Sequence, residues 1–223
     1  MPLDAQGKVP GIMRISGTGK VPCLIAQKPD GDLTLWESLA ILEYLAELFG
    51  DLPLWPNRAA DRARARVIAN EMHAGFNALR QECPMNLRRP TVPLTVRDNV
   101  IDDVRRVVEI WRECLARSGG PFLFGEFGIA DAMFAPVYSQ IISYRLSSDP
   151  VIGQFGTALS ALPAWQEWAA AAMREEPAAR AQRARRRWHR RRAPPPARHA
   201  RTRGIPPTLG GGIVGAHRHR RGR

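Results

Sequence analysis

Few side chains in this sequence are equipped for nucleophilic or acid-base chemistry. His73 is the one histidine before residue 180, and Cys23, Cys83 and Cys114 are the three cysteines. An odd number without CxxC or zinc-type spacing argues against a disulfide framework and a cysteine-based metal site, and for a reducing compartment. Each cysteine reads as a small buried hydrophobe. Cys23, inside an apolar strand, is expected to be buried and not a redox thiol. His73, beside an apolar helix face, is expected to make a structural hydrogen bond or to face solvent. Two dipeptides are more pointed: Val21-Pro22 opens an apolar run, and Glu37-Ser38 follows the next one. Taken singly, Pro22 is an ordinary proline at a strand start, Ser38 an N-cap, and Glu37 an acid that complements a helix dipole.

The elements that must position these residues are legible from periodicity. Residues 22–26 form a short apolar strand, "KPDGD" supplies an Asp-Gly turn, and residues 33–36 form a second strand, which makes an antiparallel hairpin. "ESLAILEYLAELFG" then places Leu39, Leu42, Leu45, Leu48 and Phe49 near helical spacing, with Gly50 past the end. Pro53 and Pro56 break the pattern, and Leu54 and Trp55 suggest a connection that packs down. From residue 58 to about 174 the chain reads helical. One helix carries Ile68, Met72, Gly75, Phe76 and Leu79 on a single face, and the next carries Val100, Val104, Val107, Val108, Trp111 and Leu115. A third carries Ile129, Met133, Val137 and Ile141 and is bent by Pro136; a last one starts near Pro163 and buries Trp165, Trp168 and Ala172.

Charge divides the chain sharply. Residues 180–223 hold 15 arginines and no acid, which leaves 18 basic against 21 acidic side chains in the body, about −3. The formal +12 of the whole is therefore a property of one segment. That segment is Arg-, Pro-, Gly-, Ala- and His-rich, has no apolar periodicity, and is expected to be disordered. No run approaches 18 apolar residues and the start carries no leader pattern, so a soluble, cytoplasmic protein without a membrane partner is expected.

The hairpin with its Val-Pro, the Glu-Ser at the following helix and the helical second half together resemble the glutathione S-transferase family of bacterial type. "GKVPCLIAQKPDGDLTLWESLAILEYLAELFGDLPLWP", "ANEMHAGFNALRQECPMNLR" and "GPFLFGEFGIADAMFAPV" carry the resemblance, which spans roughly residues 2–174. It implies an α/β plus all-α fold: an incomplete thioredoxin-like glutathione-binding domain over residues 1–51, a linker over 52–57, an all-helical domain over 58–176, and the tail over 177–223. It also implies conjugation of the glutathione thiol to a small electrophile, with glutathione as co-substrate, no metal, and a homodimer in an intact version.

Carried onto matching positions, the resemblance gives Val21 and Pro22 the cysteinyl backbone of glutathione, and Glu37 and Ser38 its γ-glutamyl end. A cis Val21-Pro22 peptide would turn the Val21 N–H and C=O outward to pair with an extended ligand as an added strand would. The γ-glutamyl group carries an ammonium and a carboxylate; Glu37 answers the first, and the Ser38 hydroxyl with the helix N-terminal N–H groups answers the second. Lys20 is a further candidate, for the glycyl carboxylate. Asp131 falls where the family has a capping box, but Gly128 stands where Ser or Thr is usual, so Asp131 is expected to cap alone, for folding and not chemistry.

The catalytic residue is not assigned. The family's sulfur-activating Ser, Tyr or Cys lies on a first helix, and the match begins near the end of the family's second strand, so that residue is expected upstream of residue 1. The expectation is a truncated or misread copy of a longer enzyme, marginal in stability, whose Arg-rich end reflects an out-of-frame read of GC-rich DNA. Two other readings stand beside it: nucleic-acid or anionic-surface binding through "RARRRWHRRR" with Trp188 stacking on bases, and a non-catalytic protein of the same fold that binds a partner.

Overall fold

A computed structural model describes residues 11–174. The expectations for the Arg-rich segment therefore lie outside the described residues.

The hairpin forms as its alternation dictates. Strands β1 (Cys23–Ala26) and β2 (Leu33–Trp36) pair antiparallel, with Cys23 opposite Trp36 and Ala26 opposite Leu33. The connection is wider than a two-residue Asp-Gly turn: it runs over residues 27–32 and is closed by the Gly31 N–H donating to the Lys28 carbonyl at 3.1 Å. Cys23 is half-buried, because β1 buries only part of either face and Ile25 stands exposed. Helix α1 (Ser38–Leu48) follows β2 directly and buries Ile41.

The connection out of α1 packs down as its apolar residues suggest. Trp55 is buried, and its Nε1–H donates to Glu43 Oε2 at 3.0 Å. Helix α2 (Ala59–Ala74) returns Arg66 to the same carboxylate, at 2.9 Å from Nε and 3.1 Å from Nη2, and stacks its guanidinium 5.3 Å from the Trp55 ring. Arg66 holds the Glu43 carboxyl below its ordinary value, with partial burial opposing and Trp55 assisting. This clasp joins α1 to α2. Glu43→Ala is expected to cost about 1–2 kcal/mol by chemical denaturation, since it strands the buried indole N–H and breaks a pair that solvent already screens. The depressed carboxyl fixes the sign: its stabilising share is present above the ordinary glutamate range and is lost as pH falls through the lower folded value.

The helical half differs from expectation in three places. The single face drawn through Ile68, Met72, Phe76 and Leu79 belongs to two helices, α2 and α3 (Asn77–Glu82). The chain breaks at Gly75 and at Phe76, which adopts φ 54°, ψ 39°. A Cβ on Gly75 would lie 2.6 Å from the Glu71 carbonyl oxygen, so only glycine permits this tight end to α2. The apolar spacing survived the break because Met72, Phe76 and Leu79 all still face the core.

Helix α4 (Asp98–Ser118) matches its stripe: Val100, Val104, Val107, Val108, Trp111 and Leu115 are all buried, and Gly119 at φ 64° ends it. Helix α5 (Ile129–Tyr144) is buried almost all round, as a central helix must be. Helix α6 (Pro150–Ser160) was not drawn from the sequence as a separate element. Its start is plainly signalled by Asp149, whose carboxylate accepts the Val151 N–H at 3.1 Å, and by Pro150 in the first turn. Gly153 and Gly156 obscured it; at Gly156 a Cβ would fall 2.3 Å from the Tyr138 ring, so glycine marks close helix packing there and not a break.

Helix α7 (Pro163–Arg174) buries less than expected. Trp165 is half-buried and Trp168 exposed, because the inward positions are 165, 169 and 172, and Trp168 lies on the flank, 5.3 Å from the Trp165 ring. The core is centred on Trp111, whose ring lies 4.4 Å from Phe155 and 5.9 Å, edge-on, from Phe134.

Candidate functional site

The β1–β2 register brings the two dipeptides together. Cys23 is opposite Trp36 at the last pair of the ladder, so Val21-Pro22, which leads into β1, and Glu37-Ser38, which leaves β2, lie at the same end of the antiparallel hairpin. The Val21-Pro22 peptide is cis and both residues are exposed. The Val21 N–H and C=O make no hydrogen bond to another described residue. Lys20, next in line, is exposed.

The Glu37-Ser38 end is built at a sharp junction. Glu37 has φ 70° and ψ 120°, a conformation that non-glycine side chains rarely adopt and that clusters at functional sites. No sequence signal announces it, because glutamate at this position reads simply as a helix-start acid. The first intrahelical bond of α1 runs from the Ile41 N–H to the Glu37 carbonyl at 3.0 Å. The N–H groups of Ser38, Leu39 and Ala40 therefore stand ahead of the ladder as free donors, and the half-buried Ser38 hydroxyl makes no hydrogen bond to a described residue. A carboxylate thus sits at the mouth of a helix N-terminus. Such a pair suits a ligand group that carries both signs of charge, with its anion on the N–H groups and its cation on Glu37.

His73, expected to make a structural hydrogen bond or to face solvent, is part-exposed and reaches this site: its Nε2 lies 3.4 Å from Glu37 Oε2. The distance between residues 37 and 73 in the chain hides this contact from sequence reasoning.

Two further cysteines lie in the helical half. Cys83 is buried, as expected. Cys114 is half-buried in the wall of a cavity of about 360 Å³ between α2 and α4. Burial, then the Glu113 and Asp131 charges, push its thiol up to about 11, which suppresses the nucleophilic thiolate. Asp131 acts as a cap. Its Oδ2 accepts the Gly128 N–H at 3.0 Å and its Oδ1 the Leu123 N–H at 2.9 Å. What Gly128 cannot offer by side chain is supplied nearby by the connection after α1, whose Leu54 carbonyl accepts the Ile129 N–H at 2.9 Å.

Comparison with known proteins bears on the family and the fold. The N-terminal domain of glutathione S-transferase matches residues 6–47, and its C-terminal domain matches residues 95–171. A probable maleylacetoacetate isomerase of Vibrio cholerae is 30% identical over 166 residues, covering 69% of this chain and 73% of that protein. A glutathione S-transferase-like protein of Beauveria bassiana is 27% identical, covering 77% and 75%. Among solved structures, a Burkholderia graminis glutathione transferase with two glutathione molecules bound per subunit shares the fold at TM-score 0.57 and 24% identity, over 75% of this chain and 73% of that one. Hairpin, helix and helical bundle occur here in the order those two matched domains require, and the chain belongs to the glutathione S-transferase family.

Proposed function

We propose that this chain binds glutathione at the paired dipeptides and belongs to an enzyme that joins the glutathione thiol to a small electrophile. The observation that supports the reading is the antiparallel pairing, which leaves the unbonded Val21 backbone and Glu37-Ser38 at the same end of the hairpin. An extended tripeptide lying along Val21-Pro22 would exchange backbone hydrogen bonds there as an added strand. Its γ-glutamyl carboxylate would meet the Ser38 hydroxyl and the first N–H groups of α1, and its ammonium would meet Glu37. Lys20 is proposed to steady the glycyl carboxylate at the open edge.

The second substrate belongs to the helical half in this reading, and a homodimer and a cytoplasmic location go with it by family. Among the described residues no helix is long and apolar enough to cross a membrane. Glutathione-dependent isomerisation is the second reading, favoured by the Vibrio cholerae relative and by a maleylacetoacetate isomerase of Anaeromyxobacter dehalogenans, 25% identical at TM-score 0.50, with dicarboxyethyl glutathione bound.

Isothermal titration of the full chain with glutathione tests the site. Saturable binding in the micromolar to millimolar range is the expected result, and the absence of heat at millimolar ligand would overturn the reading. Turnover of a generic aromatic electrophile against that of maleylacetoacetate then separates conjugation from isomerisation.

A further inference from the structure

We propose that His73 is a positioning residue for the ligand-facing carboxylate of Glu37, so that recognition of an ammonium group at this site depends on a side chain delivered from α2. The inference rests on the glutathione reading given above and goes further by assigning His73 a part in it.

A glutamate at a part-exposed position samples several rotamers, and ordering it for a ligand costs side-chain entropy of up to about 2 kcal/mol. Glu37 is fixed here at two points. Its backbone is set by the φ 70° junction between β2 and α1. Its tip is approached by His73 Nε2, 3.4 Å from Oε2. A side chain at that distance restricts the carboxylate from the Oε2 side and leaves Oε1 for the ligand's ammonium.

The platform under His73 is firm. It lies in the last turn of α2, which closes where the Gly75 N–H donates to the Glu71 carbonyl at 2.8 Å. Phe76 then turns the chain inward at φ 54° and buries its ring against Phe134, with centroids 6.3 Å apart. The strained residue and its buried ring pin the turn that carries His73 to the centre of the helical half. A pre-oriented carboxylate binds more tightly than a free one because the ordering cost is already met in the folded state.

The test compares glutathione with its deaminated analogue, in which hydrogen replaces the γ-glutamyl amino group, by calorimetry on the full chain. His73→Ala is expected to weaken glutathione about two- to fivefold, the range for a part-exposed pair, and to leave the deaminated analogue unchanged. His73→Gln, whose amide can still donate, is expected to recover most of the loss. In a Glu37→Gln background His73→Ala is expected to add nothing. Thermal melts of each variant report folding in parallel. Equal weakening of both ligands, or a full effect of His73→Ala without the Glu37 carboxylate, assigns His73 a general structural role and overturns the proposal. Unchanged glutathione affinity in His73→Ala overturns it alone, whereas no glutathione binding by the parent chain removes the site reading and this inference together.

Discussion

Asp131→Ala is expected to lower the melting temperature by about 5–15 °C. The carboxylate is buried at 1% exposure and accepts two backbone N–H groups, from Leu123 and Gly128, at 2.9 and 3.0 Å. Alanine removes the helix cap and leaves two donors without a partner, the Leu123 N–H buried and the Gly128 N–H partly so. Loss of a cap costs about 1 kcal/mol, and each stranded buried donor about 1–3 kcal/mol before relaxation and water entry, so a net of about 2–4 kcal/mol follows. In a chain of this size each kcal/mol moves the midpoint about 2–4 °C. Asp131→Asn should fall between the two, because its single carbonyl oxygen can serve one N–H while its amide nitrogen opposes the other.

The pH dependence of this residue runs opposite to that of Glu43. Burial pushes the Asp131 carboxyl up to about 6, while the Leu123 and Gly128 N–H groups pull it down. A folded value above the ordinary one of 3.8 means that the folded chain holds this proton more tightly than the unfolded chain. The stabilising share is fully present below 3.8 and is lost as pH rises through about 6. Asp131→Asn cannot titrate and removes this slope. Melts of parent and Asn variant between pH 4 and 7 whose difference stays constant would contradict the assignment.

That Asp131 caps this helix was legible because an acid three residues after a helix start is a local pattern, whereas the help from the Leu54 carbonyl comes from a distant part of the chain. The hairpin and the α4 stripe were legible for the same reason: alternation and 3.6-residue spacing are written within a few turns of chain. Where the sequence misled, a distant partner had changed the meaning of a local signal. Gly156 resembles a helix breaker until Tyr138 is seen against it, and Trp168 resembles core until the inward stripe of α7 proves to be 165, 169 and 172. The break at Gly75-Phe76 left the apolar spacing intact, so periodicity could not report it. At the candidate site the residue types were readable and the contacts were not: His73 and Glu37 meet only because α2 packs beside the start of α1.

Ser38→Ala is expected to weaken glutathione binding roughly 10- to 150-fold, the equivalent of about 1.5–3 kcal/mol for one charge-assisted donor to a carboxylate. The local geometry separates this loss from a folding defect. Ser38 is the first residue of α1, where its hydroxyl caps no backbone N–H, so alanine removes no intrahelical bond and the melting temperature should hardly move. The remaining N–H groups at the start of α1 keep part of the anion site, so binding should weaken and not vanish. Ser38→Thr retains the hydroxyl and should bind within a few-fold of the parent chain. Lys20→Ala is the contrasting control, because an exposed lysine acts through solvent and its contribution should be small and erased by salt. A dissociation constant unchanged by Ser38→Ala in calorimetry would place the γ-glutamyl carboxylate elsewhere. A loss matched by a fall in melting temperature would mean instead that the serine serves the helix and not the ligand.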